Sequence, residues 1–326
     1  MANEIEKYNL LALADIAKIN GFTDDDIEKL NGFEYTGPTL LKGIFGYGSS
    51  DASMTNLVTN VGVIGSDVSG VGTGRAGIAA AEYGTGTAIF GFGVGAAYFG
   101  MTNLVNTSGV VGSDVTAVGA ESYGVAAANY GTDKAIFAYG DTGSGVTTIS
   151  NLVSNSGVVA SEVSGVGTAR HHLTATEWGT DTAIFALGYN NDSPYNHGMS
   201  NLVNNSGVVA SDVTAVASIR SYPAGVRYGT DTGILLAGNP TGGTGYNTNK
   251  VSNTGVVASD VGGVGTTRYG MAATPYGSGK AVQAYGHTGS ATSSISNLIS
   301  DSGTVGADVT GVGTARSDLA ATSYGT

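Results

Sequence analysis

One unit repeats six times along this chain, and that repeat limits the fold more than any other feature. It runs SDV, then GVGTxR, then a YGT-like end. The acidic residue falls at Asp67, Asp114, Glu162, Asp212, Asp260 and Asp308, in steps of 47, 48, 50, 48 and 48 residues. The closing aromatic keeps the same steps at Tyr83, Tyr130, Trp178, Tyr228, Tyr276 and Tyr324. A period of about 40–50 residues with several short strand patterns per unit marks a β-propeller blade rather than a helical solenoid.

Each unit divides into four strand-like pieces, in the third unit GVAAANYG, KAIFAYG, TTISNLVS and GVVASEV. Between the last two lies SNSG or a close cousin, the composition of a hairpin turn that needs positive φ. The turn between the first two pieces is equally short, whereas the link between the second and third varies in length and composition. The first piece is small-chained, as strands converging on a propeller axis require. The others carry the Leu, Val, Ile and Phe that pack sheet on sheet. The chain begins in mid-unit with GIFGYG and stops after the first piece RSDLAATSYGT, so its last strand can complete the first blade and leave no open edge. The expectation is an all-β, six-bladed propeller over residues 37–326, closed by pairing of the C-terminal strand with the first blade.

Composition agrees with one closed unit. The 54 glycines, 5 prolines and 41% apolar residues describe many tight turns joining packed strands. Cysteine is absent, which excludes disulfides and thiolate metal sites. A net charge of −12 argues against nucleic-acid and anionic-membrane partners. No apolar stretch reaches membrane-spanning length, so membrane insertion is not expected. Glu4 and Glu6 stand where a secretory signal would carry positive charge. A protein of this kind working outside a cell would leave by another route, such as lysis.

Residues 1–36 differ from the rest and read as a partly helical leader. Leu10, Leu11, Leu13, Ile16 and Ile19 recur at helical spacing and are the expected anchor residues. Thr23 ahead of Asp24–Asp26 reads as a helix N-cap, and Asn31-Gly32 as the stop. The three aspartates lack the alternating ligands and glycine of a calcium loop. This segment is too small to hold a core alone, so it is expected to anchor the chain to a partner or to the propeller.

The run GTARSDLAATSYGT, joined to repeats such as GTDKAIFAYG, resembles the kelch unit. The second glycine of the kelch diglycine is mostly replaced (FGYG, FGFG, FAYG, FALG, LLAG, QAYG), and the outer-strand Trp is missing. Units rich in TNLV, SGVV and VGTAR are also similar to repetitive kelch-like proteins of tailed bacteriophages, whose short N-terminal attachment segments the IAKING-type leader resembles. That resemblance implies a non-enzymatic virion structural protein on the tail, a fibre or the head surface. It would be assembled in the host cytoplasm and released by lysis, with the leader binding other virion proteins. A host-surface glycan or protein would be the further partner.

Eight residues after the acidic position stand Arg75, Arg170, Arg220, Arg268 and Arg316, with Ser122 in the second unit. By the kelch resemblance they start the innermost strands and ring one mouth of the channel. They would either bind an anion there or pair with the repeated carboxylates and fix the inter-blade loops; five near-identical copies favour the structural role. Recognition is better sought in the variable loops. Tyr98 and Phe99, then Tyr189, Asn190, Asp192, Tyr195 and His197, then Tyr246 and Asn247, offer aromatics and amides suited to a contact surface.

Catalytic signals are poor, and no enzyme activity, metal or cofactor is expected. His171-His172 would be an acid–base or metal pair, but neighbours on a strand point to opposite faces. Glu82, Glu121, Glu177 and the repeated aspartates could meet at the axis as paired carboxylates. The alternative function is a soluble propeller lectin using the repeated tyrosines or the loops.

Overall fold

The computed structural model describes residues 41–325 except 51, 117, 193–194, 215–216 and 241–245, together with eight residues of the first forty. Two compact units divide the chain: residues 1–40 with 326, and residues 41–325. All regular secondary structure among the described residues is strand, which is the all-β class expected.

In the first unit, Lys18–Ile19 pairs with Phe22–Thr23 and Lys29–Leu30 pairs with Phe33–Glu34, both antiparallel. The expected helices therefore include neither Ile19 nor, between the Thr23 cap and the Asn31-Gly32 stop, Lys29 and Leu30. The sequence between each pair is Asn-Gly, the strongest short hairpin signal there is, and it outweighs the apolar spacing here. Leu10, Leu11, Leu13 and Ile16 lie outside the described residues.

The second unit holds six antiparallel sheets built alike, besides a two-stranded pairing of Arg220–Ser221 with Asn239–Pro240. Sheet 1 pairs Ala320–Tyr324 with Lys42–Gly48 and Ala52–Val58, so the two ends of this unit share one sheet. Sheet 2 is Ala79–Tyr83, Thr87–Gly91 and Thr102–Val105. Sheet 3 is Ala126–Tyr130, Lys134–Ala138 and Ser150–Val153. Sheet 4 is Thr174–Trp178, Thr182–Ala186 and Ser200–Val203. Sheet 5 is Ala224–Tyr228, Thr232–Leu236 and Asn247–Val251, with Val261–Gly262 at its edge. Sheet 6 is Ala272–Tyr276, Lys280–Ala284 and Ser296–Ile299.

The second strands are buried on both faces, as in Ala135-Ile136-Phe137-Ala138, because a neighbouring sheet covers each side. Edge-to-face ring pairs fill these junctions: Phe45–Tyr285, Phe92–Phe137 and Tyr139–Phe185, with centroids 5.1–5.4 Å apart. First strands alternate between buried and half-buried in sheets 2, 3 and 5, and residues of all six line the space between them.

The fourth piece of each unit is not a continuous strand in most sheets. In sheet 2 it touches the third strand only at Val105–Val111 and Thr102–Val115. Between these points the Asn103 side chain replaces the ladder: its Nδ2 donates to Gly112 O at 3.0 Å and to Asp114 Oδ1 at 2.9 Å. Asn56, Asn201, Asn249 and Asn297 do the same in their sheets.

Backbone hydrogen bonds join the sheets in closed circuits at both ends of the first strands. At the hairpin end, N–H groups of Gly84, Gly131, Gly179, Gly229, Gly277 and Gly325 each donate to a carbonyl of the next sheet, at 2.7–2.9 Å. At the other end Gly124 donates to Gly77, His172 to Gly124, Tyr222 to His172, Gly270 to Tyr222, Asp318 to Gly270 and Gly77 to Asp318, at 2.7–3.0 Å. Between them, each closing aromatic lies against the turn glycine of the next sheet. A Cβ on Gly157 would stand 2.7 Å from the Tyr83 ring, and one on Gly62 2.6 Å from Tyr276. Glycine at that turn is thus required by a close approach as well as by its positive φ.

Candidate functional site

First and second strands are antiparallel, so the variable loops that follow the second strands gather where the first strands begin. This is the end closed by the second circuit of amides. Its six members all have positive φ, between 47° at His172 and 62° at Gly124 and Gly270, yet three of them carry side chains: His172, Tyr222 and Asp318.

A run of ring contacts spreads across this end. Tyr98 stacks on Tyr123 with centroids 5.0 Å apart, and Tyr123 meets His171 and His172 at 5.4 and 5.2 Å. His172 stacks on Tyr222 at 3.8 Å, and Tyr222 leads through Tyr269 to His287. A branch runs from His171 through Tyr189 to Tyr195. Tyr98, Tyr123, Tyr189, Tyr222 and Tyr269 are half-buried, and Tyr195 is 53% exposed. Half-buried rings of this kind give large, low-entropy contact area with polar edges.

His171 and His172 do not point apart as strand neighbours would. The left-handed backbone of His172 breaks the alternation and brings the two rings to 4.5 Å. Burial lowers the pKa of His171 against the opposing pull of Asp141. Burial and then the neighbouring His171 hold His172 well below its ordinary 6.5. Both ring nitrogens of His171 are buried without a hydrogen-bond partner. Across the circuit, burial raises the Asp318 carboxyl, opposed by a hydrogen bond from Ser317 and by His287.

The other expected loop residues divide. Phe99 is half-buried and Asp192 exposed; Asn190 is buried and its Oδ1 accepts the Asp192 N–H at 3.1 Å. His197 is buried with Nε2 unpartnered. Tyr246 and Asn247 do not join this surface. Tyr246 is in the hydrophobic core against Gln283, and Asn247 pairs with Gly262 in sheet 5, because the third strand there starts two residues before its ladder asparagine Asn249, against one in sheets 2, 3, 4 and 6. Tyr123, Tyr222, Tyr269 and His287 escape the sequence reading. The first three stand one or two residues after the arginine position, where other units have Ala, Ser, Gly, His or Asp, so variation inside a constant repeat is the signal that could have found them.

The arginines are not open to a ligand. All five are at most 1% exposed. Arg170 donates from Nε to Leu187 O at 2.8 Å, from one terminal nitrogen to Thr168 O at 2.9 Å, and from the other to Asn201 Oδ1 at 2.7 Å. Arg75, Arg220 and Arg316 repeat this set, while Arg268 bonds Ile295 O and Asn297. Arg75, Arg170 and Arg316 also lie over Tyr47, Tyr139 and Tyr285, 4.2–4.5 Å from the ring centroids. Burial pulls Arg220 down to about 10, against the attraction of Asp260. The repeated aspartates close each clasp: Asp212 accepts the Thr168 N–H and hydroxyl. Sheet 3, with Ser122, has the longer Glu162 reaching Ala120 N instead.

The repeated Tyr83, Tyr130, Tyr228, Tyr276 and Tyr324 are buried at the sheet junctions. Glu121 is exposed, whereas Glu82 and Glu177 stand at the hairpin end. Among the described residues no group of three His, Cys, Asp or Glu could hold a metal ion. No protein-family model matches this chain, and no curated protein matches it. What the geometry defines is an all-β protein whose six like-built sheets display one aromatic, histidine-bearing end.

Proposed function

We propose that the six sheets are the blades of a closed β-propeller serving as a non-enzymatic recognition module. The observation that carries this reading is the continuous run of rings from Tyr98 to His287, built from positions at which the six units differ. The circuits of hydrogen bonds linking each sheet to the next, and the last to the first, support the propeller. The similarity of the repeats and of the IAKING segment to tailed-phage proteins supports placement on a virion. The leader would hold the particle and the ring-lined end would meet a host-surface glycan or protein. The test is mass spectrometry and cryo-electron microscopy of phage particles purified from the source of the sequence. A fixed copy number with residues 1–36 at the attachment point is the expected result, and absence from particles overturns the virion part. The recognition part is tested separately, by binding of the purified chain to host cells, which Tyr222→Ala should weaken at least tenfold.

A further inference from the structure

At the hairpin end the fourth residue of the first strand differs in nearly every sheet: Ser323, Glu82, Asn129, Glu177, Arg227 and Pro275, in sheets 1 to 6. Its neighbours are uniform, small residues before and Tyr or Trp after. A framework repeated this closely has no packing reason to vary there, because these side chains face the axis.

Arg227 of sheet 5 reaches across to two other sheets. Its terminal nitrogen is 3.9 Å from Glu82 Oε2 and its Nε 3.4 Å from Glu177 Oε2. Ser323 donates to Glu82 at 2.7 Å. The bridge is loose: Arg227 Nε is shielded from solvent and has no hydrogen-bond partner. Beside it opens a cavity of about 210 Å³, lined also by Asn129, Thr132 and Thr182.

Charge decides what this cavity can hold. Four carboxylates line it, Glu82, Glu177, Asp133 and Asp181, against the single Arg227, so an anion is repelled. Asp133 and Asp181 are already engaged, by Asn155 Nδ2 at 3.0 Å and Thr132 N–H at 2.8 Å. The two glutamates share Arg227, whose guanidinium already takes the place at the axis that an ammonium would fill. The unused capacity is mixed: carboxylate lone pairs that accept, and guanidinium and amide N–H groups that donate, while the Thr182 hydroxyl already gives its proton to Trp178 O and Asn129 already bonds Glu177 once. A ligand that donates and accepts at once, without net charge, fits this set. We propose that the cavity binds a neutral polyol of monosaccharide size, with Glu82 and Glu177 accepting from its hydroxyls and Arg227 and Asn129 donating to them. This site is at the opposite end from the ring-lined surface and does not depend on that reading.

The single tryptophan of the chain, Trp178, lies between the cavity residues Glu177 and Gly179 and reports on it. The full chain is titrated by calorimetry with glucose, galactose, mannose and N-acetylglucosamine, and separately with methylammonium and acetate, while Trp178 emission is followed. The expected result is saturable binding of at least one sugar with a change in emission. Glu177→Gln and Arg227→Gln should each weaken it at least tenfold, and Val110→Ala, at an exposed position, should leave it unchanged. If circular dichroism shows either charge variant unfolded, Asn129→Ala carries the test, with an expected loss of at least threefold. The proposal is overturned if none of the four sugars binds, if methylammonium or acetate binds more tightly than every sugar, or if sugar binding survives the folded variants.

Discussion

The two ends of the first strands use the same backbone device with opposite consequences. Both are closed by six residues at positive φ whose N–H groups bond a neighbouring sheet. At the hairpin end all six are glycine, and a Cβ on Gly131 or Gly277 would stand 2.6 Å from the carbonyl oxygen of Asn205 or Asn60. At the loop end only Gly77, Gly124 and Gly270 are glycine, while His172, Tyr222 and Asp318 hold the same conformation with side chains directed into the ring-lined surface. A left-handed residue costs about 1–2 kcal/mol without glycine, so it persists where the side chain gains contacts in return. The hairpin end is closed by backbone and varies only one residue inward; the loop end varies on the circuit itself.

The sharpest way to break this comparison is to remove a fastening of the loop end. Arg170→Ala leaves Asn201 Oδ1 and Leu187 O without their buried donor and should cost about 4 kcal/mol in urea unfolding. Ser122→Ala, in the sheet that lacks the arginine, should cost about 1 kcal/mol or less. The glycine contrast comes next. Gly131→Val should cost about 3 kcal/mol or more, from left-handed strain plus the backbone clash, and Gly77→Asn about 1 kcal/mol. Equal costs for these two would erase the difference between the ends.

Acid should separate the histidines of the loop end from Glu177 of the hairpin end by sign. His171 and His172 have depressed pKa values in the folded protein. Their contribution is present above the unfolded value near 6.5 and is lost as pH falls through the folded values. Hydrogen exchange at the loop end should therefore quicken below about pH 6.5, and His172→Tyr should reduce the effect. Burial raises Glu177, against Arg227, so its cost is full above the folded pKa and vanishes as pH falls below the ordinary 4.5. Asp67, Asp114, Asp212, Asp260 and Asp308 are raised by burial but lowered further by hydrogen bonds from Thr and Asn or Ser, with arginine adding to the pull. Their stabilisation holds above an ordinary aspartate value of about 3.9 and is lost as pH falls through their folded values. The smallest expected effect is Tyr222→Ala on stability, about 1 kcal/mol, against its tenfold effect on binding.

The sequence carries its own strand plan because the repeat aligns every turn. SNSG-like turns and the small-chained first piece recur in all six units and GTDK-like turns in five, and local turn chemistry at those places agrees with the long-range pairing. Where local signals compete, the reading fails. The leader's apolar spacing suggests a helix, but the described strands flank Asn-Gly. The fourth piece reads as a strand, but an asparagine side chain displaces its ladder, and periodicity does not register side chain-to-backbone bonds.

What the residue order alone determined is the all-β class, the six units and the places where they depart from one another. Only the tertiary structure decided what those departures meet. It buried the arginines in Asn–Asp clasps and turned two adjacent histidines toward one another. It also laid Arg227 across the axis toward Glu82, which lies 145 positions earlier in the sequence. The physical reason is that a repeat fixes contacts within a unit by short-range chemistry. Contacts at the axis join residues of different units, and their partners are set by where the sheet-to-sheet hydrogen bonds bring the first strands together, which no local pattern records.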